Sequence, residues 1–185
     1  MKKIVVMISG SGSNLEAIIK ACNTKTIHGN IVYVISNNPN AYGIQRAKKY
    51  NVPVKIINHE EYTKRIDFDN ALKQFLDNLD VDLIILAGFM RILGKNITEK
   101  FFGKMINLHP SLLPLYPGLN THEQAMENKD KYHGISIHYV TPELDAGPLI
   151  AQGKILINSD EDIDELISRI HKVEHNLLPQ VINEL

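Results

Sequence analysis

The segment Asn107-Leu108-His109-Pro110-Ser111-Leu112-Leu113-Pro114 follows an apolar pair, Met105-Ile106, and is interrupted by two prolines. Read as a strand over Lys104 to His109, it alternates. Asn107 and His109 project from one face, Ile106 and Leu108 from the other. Pro110 stops the pairing and keeps His109 out of helical backbone. An amide and an imidazole therefore stand side by side at the carboxyl end of a strand, where open α/β sheets bind ligands. That pair suits acyl-type transfer, the amide steadying an oxyanion while the imidazole moves a proton. Ser111 lies close by, but no nucleophile elbow surrounds it, which argues against a covalent intermediate.

Other segments carry candidate chemistry. In Thr141-Pro142-Glu143-Leu144-Asp145-Ala146-Gly147-Pro148, Glu143 reads as solvated, whereas Asp145 has small apolar neighbours. Asp145 either serves the turn or pairs with His109 and raises its basicity; the sequence leaves both open. Gly10-Ser11-Gly12-Ser13-Asn14-Leu15 separates a strand from a helix, as a phosphate-binding loop does, although Ser13 or Asn14 could merely cap the helix. A dinucleotide is disfavoured, because Leu15 stands where the third fingerprint glycine belongs and Ser36-Asn37-Asn38 lacks a ribose-binding acid. Gly88, in Leu86-Ala87-Gly88-Phe89-Met90-Arg91-Ile92-Leu93, lets backbone approach a flat ligand, but taken alone this segment reads first as cover for the sheet.

His171-Lys172-Val173-Glu174-His175 matches a zinc-protease pattern literally. Only Glu184 remains downstream as a further ligand, so no metal is expected. His122, on a long loop, is a ligand-contact candidate; His138, alternating within an apolar strand, reads as structural. Cys22 lacks the surroundings of a nucleophile.

These residues are positioned by short apolar runs alternating with helical patterns. Strands are expected at Ile4–Ile8, Ile31–Ile35, Val52–Ile57, Asp82–Ala87, Lys104–His109, Ile135–Val140 and Leu149–Ile157. Helices are expected at Asn14–Ala21, Tyr42–Tyr50, Asp67–Leu79 and Ile163–Ile182, with residues 110–133 as an irregular binding loop or lid. Such alternation implies a single α/β domain over 1–185, with a doubly wound, mostly parallel sheet and helices on both faces. The 20 Lys and Arg residues nearly balance 21 Asp and Glu, so no nucleic-acid surface is expected. No apolar run reaches membrane-spanning length, and a lone cysteine fits a reducing cytosol. A cytoplasmic protein is expected, monomeric or homodimeric.

Taken together, Ser9–Leu15, Ala87–Leu93, Asn107–Pro114 and Leu144–Pro148 resemble, in order and spacing, the phosphoribosylglycinamide formyltransferases. The resemblance covers essentially the whole chain. It implies transfer of a formyl group from 10-formyltetrahydrofolate to the amine of phosphoribosylglycinamide, without a metal. It implies Asn107, His109 and Asp145 as catalytic trio, and Gly12, Ser13 and Asn14 as the phosphate loop, with Glu174 receiving the glycinamide end. Arg65, Met90, Arg91, Ile92 and Leu93, with Pro142, Glu143 and Leu144 on the other wall and Asn107 between them, match the folate-binding positions. Residues 1–109 would then hold the nucleotide phosphate and 110–185 the folate pocket and lid.

Close relatives remain as alternatives. Tyr116-Pro117-Gly118-Leu119-Asn120-Thr121-His122 is similar to the glycinamide enzymes' loop, whereas methionyl-tRNA formyltransferases are more basic there. Formyltetrahydrofolate hydrolases share the trio but differ in the first loop. His171, where relatives often have glutamine, and Asn120, replacing a common histidine, depart from the pattern. Many members also continue beyond the position of Leu185.

Overall fold

The apolar runs after Lys3 and Asp82 do not alternate with polar residues, because their strands are covered on both faces. In the computed structural model, which describes residues 1–185, β1 is Lys2–Ile8. Its Ile4, Val6 and Ile8 enter one core cluster and Val5 and Met7 the other. Helix α1 (Ser13–Asn23) lays Leu15, Ile18 and Ile19 on the first cluster. Then come β2 (Gly29–Ser36), α2 (Gly43–Lys49), β3 (Val54–Ile56), α3 (Arg65–Asp77), β4 (Leu83–Leu86) and α4 (Lys95–Thr98). Phe68, Leu72 and Leu76 of α3 cover the second cluster. The chain closes with β5 (Met105–His109), α5 (Thr121–Glu127), β6 (Tyr132–Tyr139), β7 (Leu149–Leu156) and α6 (Ile163–Glu184).

The strands form one sheet in the order β3-β2-β1-β4-β5-β6-β7. The first five are parallel, while β6 runs antiparallel to β5 and β7 to β6. Helices lie on both faces: α1 and α6 pack with the first cluster, α3 with the second. The expected doubly wound, mostly parallel sheet is the observed one. No helix is long and apolar enough to cross a membrane.

Two expectations change. The third strand covers only Val54–Ile56, because Asn51 turns with φ 57° and the Val52 N–H is spent on Ala47 O. Residues 110–133 are not wholly irregular, since α5 occupies Thr121–Glu127. Its signal is weak: Asn120 precedes it without a side-chain cap bond, and only Thr121 and Ala125 are buried.

On β5 the alternation holds. Ile106 and Leu108 enter the α1/α6 cluster, while Met105 belongs to the α3 side. Ile106 is fully buried, so Ile106→Ala should lower the unfolding free energy by about 2–5 kcal/mol in urea titration. A loss below about 1 kcal/mol would contradict this packing.

Candidate active site

The strand order reverses between β1 and β4, and the loops leaving their carboxyl ends flank one crevice. Those loops are tied together. Ser9 N–H donates to Gly88 O (3.0 Å), and Met90 N–H donates to Ser9 Oγ (2.7 Å). Ser9 Oγ–H in turn donates to Asn37 Oδ1 (2.5 Å). Gly12 precedes α1 with φ 71°, and a Cβ there would lie 2.6 Å from Gly43 Cα. Glycine is therefore required for both the left-handed turn and the close approach. No side chain caps α1, so the alternative role of Ser13 or Asn14 as a mere cap is absent. The first amides of this helix remain available to an anion. Arg46 Nε–H donates to Ser11 O (2.9 Å), bracing the loop from α2.

At the end of β5, Asn107 and His109 meet Asp145, which reaches back from the turn between β6 and β7. Asn107 Nδ2 donates to Asp145 Oδ1 at 3.2 Å, and His109 Nδ1 lies 3.4 Å from Asp145 Oδ2. Gly118 N–H donates to that same Oδ2 at 2.8 Å. His109 Nε2–H donates to Tyr116 O (2.8 Å). The Asp145 side chain is 6% exposed. Burial alone would raise its carboxyl, but the His138 contact, the Gly118 N–H and the two imidazoles outweigh burial and hold it below the ordinary carboxylate range. The pairing with His109 that the sequence left open is the observed one.

His138 differs from its structural reading. Antiparallel pairing sets it directly across from Asn107. Its Nε2 accepts from Asn107 Nδ2 at 3.2 Å and lies 3.6 Å from Asp145 Oδ1, while Nδ1–H donates to Tyr139 O. It is buried and satisfied, and it is also part of the site. Sequence reasoning also passed over Gly118 and Tyr116, which act through main-chain atoms and leave no side-chain signal.

A second buried carboxyl sits on α6. Glu174, 4% exposed, accepts from Asn14 Nδ2 at 3.1 Å. Burial pushes it up to about 7, the Asn14 bond offsetting only part of that. Asn14 Oδ1 and His175 Nε2 are buried without a protein partner. His171 Nε2 lies 4.0 Å from Glu174 Oε2 and its ring stacks on His175.

The remaining candidates spread outward. Met90, Arg91 and Ile92 are exposed on the loop after β4, whereas Leu93 is buried beneath it. Glu143 and Leu144 are exposed on the opposite loop, with Pro142 half-buried. Arg65 opens α3, beside the far end of the β4 loop, in a groove of about 630 Å³ with Lys64, Asp69 and Lys95. Asp69 Oδ2 accepts the Gly94 N–H there at 2.9 Å. His122, a ligand-contact candidate by sequence, shares a 3.0 Å hydrogen bond with His133. Burial lowers both rings, His133 to about 4. Ser111 Oγ–H is committed to Leu115 O, and burial pushes the Cys22 thiol up to about 11, so neither is a nucleophile.

The formyl transferase family matches residues 2–182. The chain is 43% identical to the phosphoribosylglycinamide formyltransferase of Haemophilus influenzae over 182 residues, covering 98% of this chain and 86% of that one. The Escherichia coli enzyme of the same name is also 43% identical over 180 residues, covering 97% and 85%. The structure of the Coxiella burnetii phosphoribosylglycinamide formyltransferase superposes with a TM-score of 0.94 at 48% identity, covering 98% of this chain and 85% of that one. A sheet with this order, a glycine loop at the switch point and an amide–imidazole–carboxylate cluster at the rim of β5 accompany that similarity, and the chain belongs to the formyl transferase family.

Proposed function

We propose that the protein transfers the formyl group of 10-formyltetrahydrofolate to the primary amine of phosphoribosylglycinamide, a step of purine biosynthesis, by direct attack. The observation that carries this reading is the convergence of Asn107, His109 and Asp145 within 3.2–3.4 Å at the end of β5. The phosphate is assigned to the open amides of Ser13 and Asn14 behind Gly12, where partial positive charge favours an anion. The folate is assigned to the crevice between the β4 loop and Pro142 to Leu144, where Met90, Ile92 and Leu144 expose apolar side chains. Arg91 and Arg65 supply cations for its carboxylated tail.

In this mechanism the substrate amine attacks the formyl carbon, a C–N bond forms and the carbonyl oxygen becomes an oxyanion. Asn107 turns an N–H from Asp145 to that oxygen, and His109 donates to it through Nδ1 once that nitrogen has taken the proton of the attacking amine. Asp145 supplies the opposing negative charge and orients both donors. The proton lost by the incoming nitrogen passes through His109 to the departing folate nitrogen, whose C–N bond breaks. Nothing is left bound to the protein. Holding both substrates in one crevice supplies much of the acceleration by making the encounter local.

Glu174 and Asn14 are assigned to the glycinamide end. Asn14 Oδ1 is a buried acceptor that a substrate N–H would satisfy, and a carboxyl that titrates near 7 takes a proton from an ammonium more readily than an ordinary glutamate does.

Absorbance of the deformylated folate, followed with and without the ribonucleotide, tests the assignment: product should form only when the amine is present. Equal folate turnover and formate release without it would identify a hydrolase. Asn107→Ala and His109→Ala should each lower kcat by about 10²- to 10³-fold, and Asp145→Asn should fold yet lose comparable activity. Near-wild-type rates in the first two would remove them from the chemistry.

Glu174 yields a stability measurement. Its folded value of about 7 lies above the ordinary 4.5, so the folded state binds more protons than the unfolded chain across that window. Unfolding free energy should therefore fall as pH rises from about 4.5 to 7 and level off above it. In Glu174→Gln this fall should vanish, leaving the variant up to about 3 kcal/mol more stable than wild type at pH 8. Urea midpoints at pH 5 and 8 decide it; identical pH dependence in both proteins would assign the titration elsewhere.

A further inference from the structure

The imidazole of His109 faces two oxygen acceptors that compete for one proton. In a neutral ring either Nε2 carries hydrogen, donating to Tyr116 O at 2.8 Å, or Nδ1 carries it, facing Asp145 Oδ2 at 3.4 Å. Which nitrogen is protonated is set by the hydrogen bond at the other. The shorter contact belongs to a main-chain carbonyl, and that carbonyl is held from elsewhere. Tyr116 has left-handed backbone, φ 53°, an unfavourable conformation for an aromatic residue that needs outside support.

The support comes from α5, the helix that the sequence did not announce. Helix α5 stops in a Schellman turn: Lys129 N–H donates to Met126 O, Asp130 N–H donates to Ala125 O, and Lys129 takes φ 53°. This turn presents Asp130 and Asn128 to the Tyr116 phenol. Tyr116 Oη–H donates to Asp130 Oδ2 at 2.6 Å, and Asn128 Nδ2 donates to Tyr116 Oη at 3.0 Å. The root of the loop is fixed as well, by Ser111 Oγ–H to Leu115 O and Thr121 Oγ1–H to Pro110 O, both 2.6 Å. The Asp130 hydrogen bond pushes the phenol above its ordinary value, so Tyr116 remains the donor.

We propose that Tyr116, latched by Asp130, is a positioning residue for the formyl transfer: its carbonyl keeps the proton of neutral His109 on Nε2 and reserves Nδ1 for the reacting centre. The inference rests on the catalytic reading of His109 given above. Without the carbonyl, Asp145 would draw the proton to Nδ1, and the ring's lone pair would point away from Asn107 and Asp145. A ring in that tautomer cannot receive the proton of the attacking amine. The latch therefore acts on the chemical step, and neither Tyr116 nor Asp130 need touch substrate.

The test combines kinetics with nitrogen-15 NMR of the imidazole in the full-length protein. Tyr116→Phe and Asp130→Ala should each lower kcat about 10-fold with both KM values within about 2-fold of wild type, and the double variant should be no slower than either single one. Asp130→Asn, which keeps an oxygen acceptor for the phenol, should recover most of the rate. The His109 ring should read as the Nε2–H tautomer in wild type and as a mixture in Tyr116→Phe and Asp130→Ala. Wild-type kcat in both single variants, multiplicative effects, or an unchanged ring spectrum would each overturn the proposal. Should Tyr116→Phe not fold, Asp130→Ala against Asp130→Asn carries the same contrast. His109→Ala, run alongside, separates the two readings: if it loses activity while the latch variants do not, only the positioning role fails, whereas full activity in His109→Ala removes the catalytic reading on which it rests.

Discussion

A carboxylate taken out of water costs several kcal/mol unless donors replace the lost hydration. Asp145 meets that condition with contacts from three separate parts of the chain. Gly118 reaches it from the loop after β5, Asn107 and His109 from β5 itself, and His138 from β6. Its own backbone is left-handed, φ 50°, a conformation that aspartate tolerates better than most residues. The turn that carries it is packed without slack, since a Cβ on Gly147 would lie 1.7 Å from Tyr139 O. Keeping this one anion satisfied therefore fixes the relative position of two loops and two strand ends. The amide and the imidazole that would serve an oxyanion are gathered at this anion before any substrate arrives, which shortens the reorganisation that electrostatic stabilisation would otherwise need.

The same economy joins the two loops that flank the crevice. Ser9 uses its main-chain N–H on Gly88 and its hydroxyl on both Asn37 and Met90. The loop after β1 and the loop after β4 thus share a residue where the sheet's winding reverses. The far end of the β4 loop is fixed independently, by Asp69 on α3. Between these anchors Met90, Arg91 and Ile92 stay exposed. A segment pinned at both ends that exposes Met90 and Ile92 around Arg91 would offer the proposed folate a rigid wall at low ordering cost.

What the sequence disclosed and what it withheld follow from the range of each signal. Strand alternation and the two prolines act within a few residues, so the faces taken by Asn107 and His109 were legible before any coordinates. The buried runs of β1 and β4, and the apolar face of α1, were equally local. Asp145 could be suspected but not assigned, because its partner lies across the sheet and only the β6–β7 turn brings it home. His138 read as structural for a related reason: its contact with Asn107 exists only in the antiparallel register of β6 on β5. Helix α5 was missed because seven residues with two buried positions barely modulate hydropathy. Tyr116 and Gly118 contribute a carbonyl and an amide, groups that almost every residue possesses, so no composition could mark them.

Two buried carboxyls with opposite titrations give the site its direction. Asp145 and Glu174 are comparably inaccessible, yet the first is held below the ordinary range and the second rises to about 7. Burial acts the same way on both, so it cannot explain the difference. The surroundings can: Asp145 is met by a main-chain N–H and an amide with two imidazoles beside it, whereas Glu174 has one amide. A carboxylate with several donors stays charged and serves as a fixed counter-ion; one with a single donor exchanges protons near neutrality. Environments that push paired carboxyls apart are how one fold assigns a permanent charge and a proton carrier at the same pH. In the proposed reaction the amine enters from the Glu174 side and must arrive unprotonated, while charge develops beside Asp145 and must be stabilised. The two titrations run in the sense those two tasks demand.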